Sequence, residues 1–262
     1  MFDKCPNYTI SNNCKFQLLR SIINKMNSTY QRIIGSLTII SGIIAFVSYF
    51  LVACSVNFNF DFFSNPKLVF SIPDVNFSML RWSMITDIFG YYLLLLPALI
   101  FMHGWLKSKT EWSKLISVCG LFYIMIGATG AAILAAVWPA LLLKHAQISA
   151  QQQEIIENLF EAFSLMVGNG LWNILDALLC GIWLTCLGMV LKKDYNLIGL
   201  FTIMVGIISL FDSFGNILDI KIVADIAVNL YLILAPLWAI VLGIIILTKN
   251  NINSLKLKLT NE

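Results

Sequence analysis

Charge is what this chain has least of. Asp, Glu, Lys and Arg make up 12% of its 262 residues, against roughly 25% in a soluble domain, which excludes a soluble globular reading. The net charge of +3 is too small to mark a nucleic-acid surface and no nucleic-acid partner is expected. The six cysteines (Cys5, Cys14, Cys54, Cys119, Cys180, Cys186) form neither a CxxC pair nor a His/Cys metal spacing, so neither a disulfide scaffold nor a zinc site is expected. Four of them lie in apolar segments, where free Cys behaves as a small hydrophobe. The two histidines, His103 and His145, fall on opposite sides of the topology derived below and cannot share a metal. There is no Walker loop, dinucleotide-binding glycine run, HExxH, or GxSxG with a candidate triad. ATP-driven transport and common hydrolase chemistry therefore find no support. No cofactor, metal or catalytic set is expected, and the reading leans against an enzyme. A cleavable signal peptide is also missing: roughly the first 30 residues are polar and lack an early apolar core, so the first span is expected to direct its own insertion.

Hydrophobic residues, by contrast, make up 59% of the chain, and the mean hydropathy is +0.83. Several uninterrupted apolar runs reach the ~20 residues that a spanning helix needs. They place six spans at about 33–55, 82–105, 115–143, 162–191, 196–218 and 224–247. The expected fold is all-α, a polytopic transmembrane helix bundle with the lipid bilayer as its surroundings. Residues 1–32 form a basic amphipathic arm, 33–248 the six-span domain and 249–262 a short tail.

In the arm, Phe16, Leu19, Ile22, Ile23, Met26 and Tyr30 recur at helical spacing, with Lys15, Arg20, Lys25 and Arg32 among them. That suits either a helix lying on an anionic leaflet or a partly ordered tail that only fixes topology. Gly35 and Gly42 share one face of span one and permit close helix contact. The following loop is of mixed polarity, and Pro66 and Pro73 block a long helix there. Span two carries Trp82 and Trp105 as interfacial anchors, with Pro97 as a candidate kink. Span three has two small-residue rows, Gly127/Ala131/Ala135 and Ala128/Ala132/Ala136, which place it at the centre of the bundle. Residues 148–163 read as an amphipathic helix capped by Ser149 and leading into span four. Lys192, Lys193 and Asp194 make the short turn before span five.

Thirteen of the seventeen Lys and Arg residues fall on the side that holds the arm, the second and fourth connections and the tail. The positive-inside rule then puts both termini in the cytoplasm of a cell that carries the protein in its inner or plasma membrane.

Against this apolar background, carboxylates and carboxamides at bilayer depth cost several kcal/mol unless partnered, and mark a packed polar network or a site. The candidates are Asp87, Asn169, Asn173, Asp176, Asp212 and Asn216. Asn169, Asn173 and Asp176 are spaced i, i+4, i+7 on one expected helix face, and Asp212, Asn216 and Asp219 repeat the offsets. The tetrapeptide NILD occurs in both places. One reading is a polar cavity open to the outside, with Asp176 at its base, that binds or transports a small cationic ligand or a proton. The alternative is a structural or accessory protein in which protonated Asp and Asn form an interhelical hydrogen-bond network, each bond worth about 0.6 kcal/mol. Asp219 and Asp225 fall near an interface, where solvation accounts for them. Asp87 is within reach of Arg81 or water, and His103 suits a solvated or carbonyl-bonded histidine.

The stretch 181–215 (GIWLTCLGMVLKKDYNLIGLFTIMVGIISLFDSFG), with RIIGSLTIISG at 32–42 and LRWSMITDIFGY at 80–91, resembles the uncharacterised bacterial multi-pass membrane proteins grouped as domain of unknown function 4386. The resemblance covers about residues 30–250. It implies a helical inner-membrane protein and brings no activity or catalytic residue with it.

Overall fold

The computed structural model describes residues 12–59 and 61–259, and the side chains of 12–28, 64 and 249–259 lie outside that description. Residues 1–11 and the apolar arm positions Phe16 to Met26 therefore fall outside what can be compared. Among the described residues there is no strand, and six helices are long and apolar enough to cross a membrane.

Helix α1 (Asn12–Ser55) runs from the arm into span one without a break. A short α2 (Asp61–Ser64) and a 3-10 turn (Pro66–Ser71) follow. Span two is composite: α3 (Phe77–Asp87), a π-helical turn (Ile88–Tyr92), a 3-10 turn (Leu93–Leu95) and α4 (Leu96–Leu106). Helix α5 (Ser113–His145) is span three. Helix α6 (Ala150–Leu165) continues through a π-helical segment (Met166–Asp176) into α7 (Ala177–Asp194) as span four. Helices α8 (Asn196–Ile217) and α9 (Lys221–Leu259) are spans five and six. The six expected spans are all present; span five matches its apolar run to within a residue, span four is extended by the helix that precedes it, and the others are a few residues longer.

Span one packs on span six through glycine. A side chain at Gly42 would meet the Pro236 carbonyl at 2.5 Å, and one at Gly243 would meet the Gly35 carbonyl at 2.6 Å. The expected close contact of the Gly35/Gly42 face is thus made with α9. Pro97 does distort span two, but upstream of itself. A proline removes its own N–H and crowds the carbonyl four residues back, and Tyr92 is the residue driven out of helical geometry, at φ −126° and ψ −80°.

Four expectations are corrected. Span four, not span three, is the most enclosed, because only the first small row turns inward: Ala131 and Ala135 are buried while Ala132 and Ala136 are exposed. The 56–76 connection is not a loose loop. Phe62 and Val69 are buried with Trp138, Leu142 and Phe160 in a second apolar core, and Pro66 starts the 3-10 turn where its missing N–H costs nothing. Ser149 occupies the cap position of α6 but caps through its carbonyl, which accepts from Gln152 and Gln153, and its side chain makes no cap bond. Finally, α7 runs through Lys192–Asp194, and Tyr195 alone separates it from α8. Gly199 allows that one-residue turn, since a Cβ there would collide with the Lys192 backbone.

The cap core closes one end of the bundle. The two lower connections meet at the other, where Lys109 pairs with Asp194 at 2.7 Å. Helix α1 therefore begins, and α9 ends, on the side opposite the cap.

Candidate functional site

Span four loses its α-helical register where its polar residues begin. Over Met166–Asp176 the backbone is π-helical, with i→i+5 bonds and a wider turn that recurs at functional sites. Residues i and i+7 then no longer share a face. Asn169 is exposed, Asn173 half-buried and Asp176 only 5% exposed. Neither Asn169 nor Asn173 makes a side-chain hydrogen bond among the described residues.

Asp176 closes this segment and faces span two. Its Oδ2 accepts from Tyr92 Oη at 3.3 Å. Its Oδ1 is buried without any partner, one of two such side-chain oxygens among the described residues. Tyr92 is itself the last residue of the π-turn of span two, so the bond joins two segments that have both left α-helical geometry. Glycines let them meet. A side chain at Gly127 would enter the Tyr92 ring, and one at Gly130 would lie 2.6 Å from Trp172 Nε1. Trp172 Nε1 in turn donates to the Gly127 carbonyl at 3.2 Å.

Helix α8 supports the junction from the other side. Ser213 Oγ donates to the Ile174 carbonyl and Ser209 Oγ to the Ala177 carbonyl, both at 2.8 Å. These serines satisfy carbonyls where the π-helix hands over to α7. Between them in sequence, Asp212 is 3% exposed, and its Oδ1 accepts from Asn216 Nδ2 at 2.9 Å. Asp176 and Asp212 therefore stand on neighbouring helices linked by serine-to-backbone bonds, and both are closed off from solvent.

Asp87 belongs to the span one contact. Ser48 Oγ approaches its Oδ1 at 3.4 Å and donates to the Ser83 carbonyl at 2.8 Å, while Ser41 Oγ donates to the Gly90 carbonyl. Arg81 is exposed and makes no ion pair among the described residues, so where Arg81 or water was expected beside Asp87 the structure places Ser48. His103 Nδ1 is 2.8 Å from Ser117 Oγ on span three, a hydroxyl partner where a carbonyl or water was expected. His145 faces Glu157 at 3.0 Å beneath Phe70, in the cap.

The second NILD does not repeat the first. Asp176 is buried in mid-span, whereas Asp219 is exposed at φ 55°, in the left-handed turn that ends α8. Ile220 N–H bonds back to the Gly215 carbonyl across it at 2.7 Å. Asp225 is also exposed.

Sequence reasoning missed the aromatic half of the site. Tyr91, Tyr123, Tyr231 and Cys180 join it from four spans: Tyr231 Oη donates to Tyr123 Oη at 3.1 Å, Tyr123 Oη to the Tyr91 carbonyl at 3.0 Å, and Cys180 Sγ lies 3.1 Å from Tyr231 Oη. Cys180 stands four residues after Asp176, which was the available signal. Among the described residues no three His, Cys, Asp or Glu side chains group to hold a metal.

Six spanning helices around a closed polar centre define a helical multi-pass membrane protein. Comparison with protein-family models, with curated proteins and with solved structures finds no match for this chain.

Proposed function

We propose that the protein binds or transports a small cationic ligand or a proton, with Asp176 as the acceptor and Asp212 beside it. The observation that carries this reading is the buried, unpartnered Oδ1 of Asp176. A buried acceptor left unmade costs about 1–3 kcal/mol, a cost that a pure packing residue would shed and a binding group retains for its ligand. Two π-helical segments meeting at the same carboxylate support it further, because each can change register by one residue and release the Tyr92 bond. The capped side faces outward, with both termini cytoplasmic, as the positive-inside count has it. The resemblance of residues 30–250 to the family of unknown function agrees with a membrane bundle and supplies no activity.

The test is the apparent thermal stability of the purified protein in detergent, across pH and a panel of cations, for wild type and Asp176→Asn. A ligand of the folded state raises its stability. A cation or protonation step that stabilises wild type and leaves Asp176→Asn unmoved establishes the site. Identical responses of the two proteins to every condition would reduce Asp176 to a packing residue.

A further inference from the structure

The connections at the two ends of the bundle carry opposite charge. At the cap end, stretches 56–81, 144–161 and 218–225 hold four basic and seven acidic residues. At the other end, stretches 107–114 and 192–195 hold five basic and two acidic ones. One of those five is already spent. Lys109 pairs with Asp194 at 2.7 Å and lies 5.9 Å from the centre of the Trp105 ring, which clamps the two connections together. Lys107, Lys114, Lys192 and Lys193 are exposed around that clamp and make no ion pair among the described residues. We propose that these four lysines form a docking surface for anionic phospholipid headgroups, of the phosphatidylglycerol kind, in the leaflet against this end. The surface is independent of Asp176 and stands whether or not that carboxylate takes a ligand.

Three observations select this occupant. The first is charge complementarity. With Asp194 engaged, Glu111 is the one acid left in the two connections against four unpaired lysines, and basic residues at a membrane surface draw anionic lipid. The second is a lysine set against its own helix. Lys114 stands in the first turn of α5, where the positive end of the helix dipole disfavours a cation and no acid offsets it. An external phosphate relieves that conflict. The third separates a lipid from a soluble anion. Trp112 is 68% exposed and Leu197 84% exposed, each within a few residues of these lysines. A soluble anion leaves both in water, whereas the headgroup boundary accepts them, tryptophan above all. One turn into the span from Lys107, Gly104 is exposed, with nothing within 4 Å of where a side chain would start. That notch gives an acyl chain room beside α4 beneath a headgroup held by Lys107.

The experiment takes the full chain in neutral detergent with equal amounts of phosphatidylglycerol and phosphatidylcholine, and reads the lipid retained by native mass spectrometry. Wild type is expected to retain phosphatidylglycerol over phosphatidylcholine, and about 1 M ammonium acetate should erase the preference by screening. The double variants Lys107→Gln/Lys114→Gln and Lys192→Gln/Lys193→Gln should each weaken it on the order of 25-fold, about fivefold per lysine. Lys144→Gln/Lys221→Gln, at the cap end, should leave it unchanged. All six lysines are exposed, so the variants should elute from size-exclusion chromatography as wild type does. Equal retention of the two lipids by wild type, or an undiminished preference in both patch variants, would overturn the proposal. So would an equal loss in the cap-end variant, which would make the effect one of net charge alone. Displacement of phosphatidylglycerol by inorganic phosphate at the same concentration would overturn it too, by making this a site for free phosphate.

Discussion

Replacing Tyr92 and Asp176 together with Phe and Val should make the protein more stable in cation-free buffer. In the native bundle Tyr92 Oη and Asp176 Oδ2 satisfy one another at 3.3 Å, while Asp176 Oδ1, in a residue only 5% exposed, satisfies nothing. The orphan oxygen costs about 1–3 kcal/mol and the single bond returns about 1 kcal/mol or less. Asp176→Val alone removes the orphan but strands the Tyr92 hydroxyl, so its net effect should lie near zero. Tyr92→Phe alone leaves the whole carboxylate unpartnered and should destabilise by about 1–3 kcal/mol. The double change removes both polar groups together with the bond between them and keeps ring and side-chain bulk close to native, so a net of about 0–2 kcal/mol is gained, a rise of up to about 5 °C in melting temperature. Thermal unfolding in detergent followed by tryptophan fluorescence, with the four proteins measured side by side, gives the cycle directly. A double variant less stable than wild type would refute the reasoning, since it would mean that the carboxylate holds spans two and four together in the absence of any ligand.

Other sites give contrasting magnitudes. Gly206→Val would place a Cβ 2.5 Å from the Thr185 amide inside the α7–α8 contact, and loss of folded protein on size-exclusion chromatography is expected. Phe62→Ala opens the cap core beside Trp138 and Phe160, at a cost of about 3–5 kcal/mol. Limited proteolysis of the 56–76 segment should report that loss before the spans melt. Lys67→Met breaks a half-exposed ion pair to Glu161 at 3.0 Å, which at such exposure is worth no more than about 1 kcal/mol, and its melting curve should overlay that of wild type. Asn65→Cys and Ser108→Cys, in connections at opposite ends of the bundle, should react selectively with an impermeant maleimide on intact cells. Labelling at position 65 alone supports the cytoplasmic assignment of the termini, and labelling at 108 alone reverses it.

The spans were legible because hydrophobic run length is set by the bilayer itself, and the Gly35/Gly42 face was legible because helical periodicity holds through α1. The site was legible in its carboxylates and not in its geometry. The i, i+4, i+7 argument assumed 3.6 residues per turn, and the π-helical stretch over Met166–Asp176 invalidates it, turning Asn169 outward while Asp176 stays inside. Nothing local announces that change of register, since its support comes from Ser209 and Ser213 on the next span. The two small rows of span three look alike in sequence. What covers the first row, such as the Tyr92 ring over Gly127, is supplied by distant spans. The cap was hidden for a similar reason: Phe62 and Val69 sit in a stretch whose prolines read as a loop, and their burial depends on Trp138 and Phe160 far along the chain.

The glycine contact between α1 and α9 has a consequence for biogenesis. Of the six spans, span one leaves the ribosome before the others and its main partner after them, so the face carrying Gly35 and Gly42 stays bare through the synthesis of the four spans between. During that interval lipid or an insertion factor must cover a groove shaped for the Pro236–Gly243 stretch. A nascent chain stalled before residue 221 would therefore be an inserted but unsealed ring, and quality-control proteases that recognise unpaired transmembrane faces would meet it at span one.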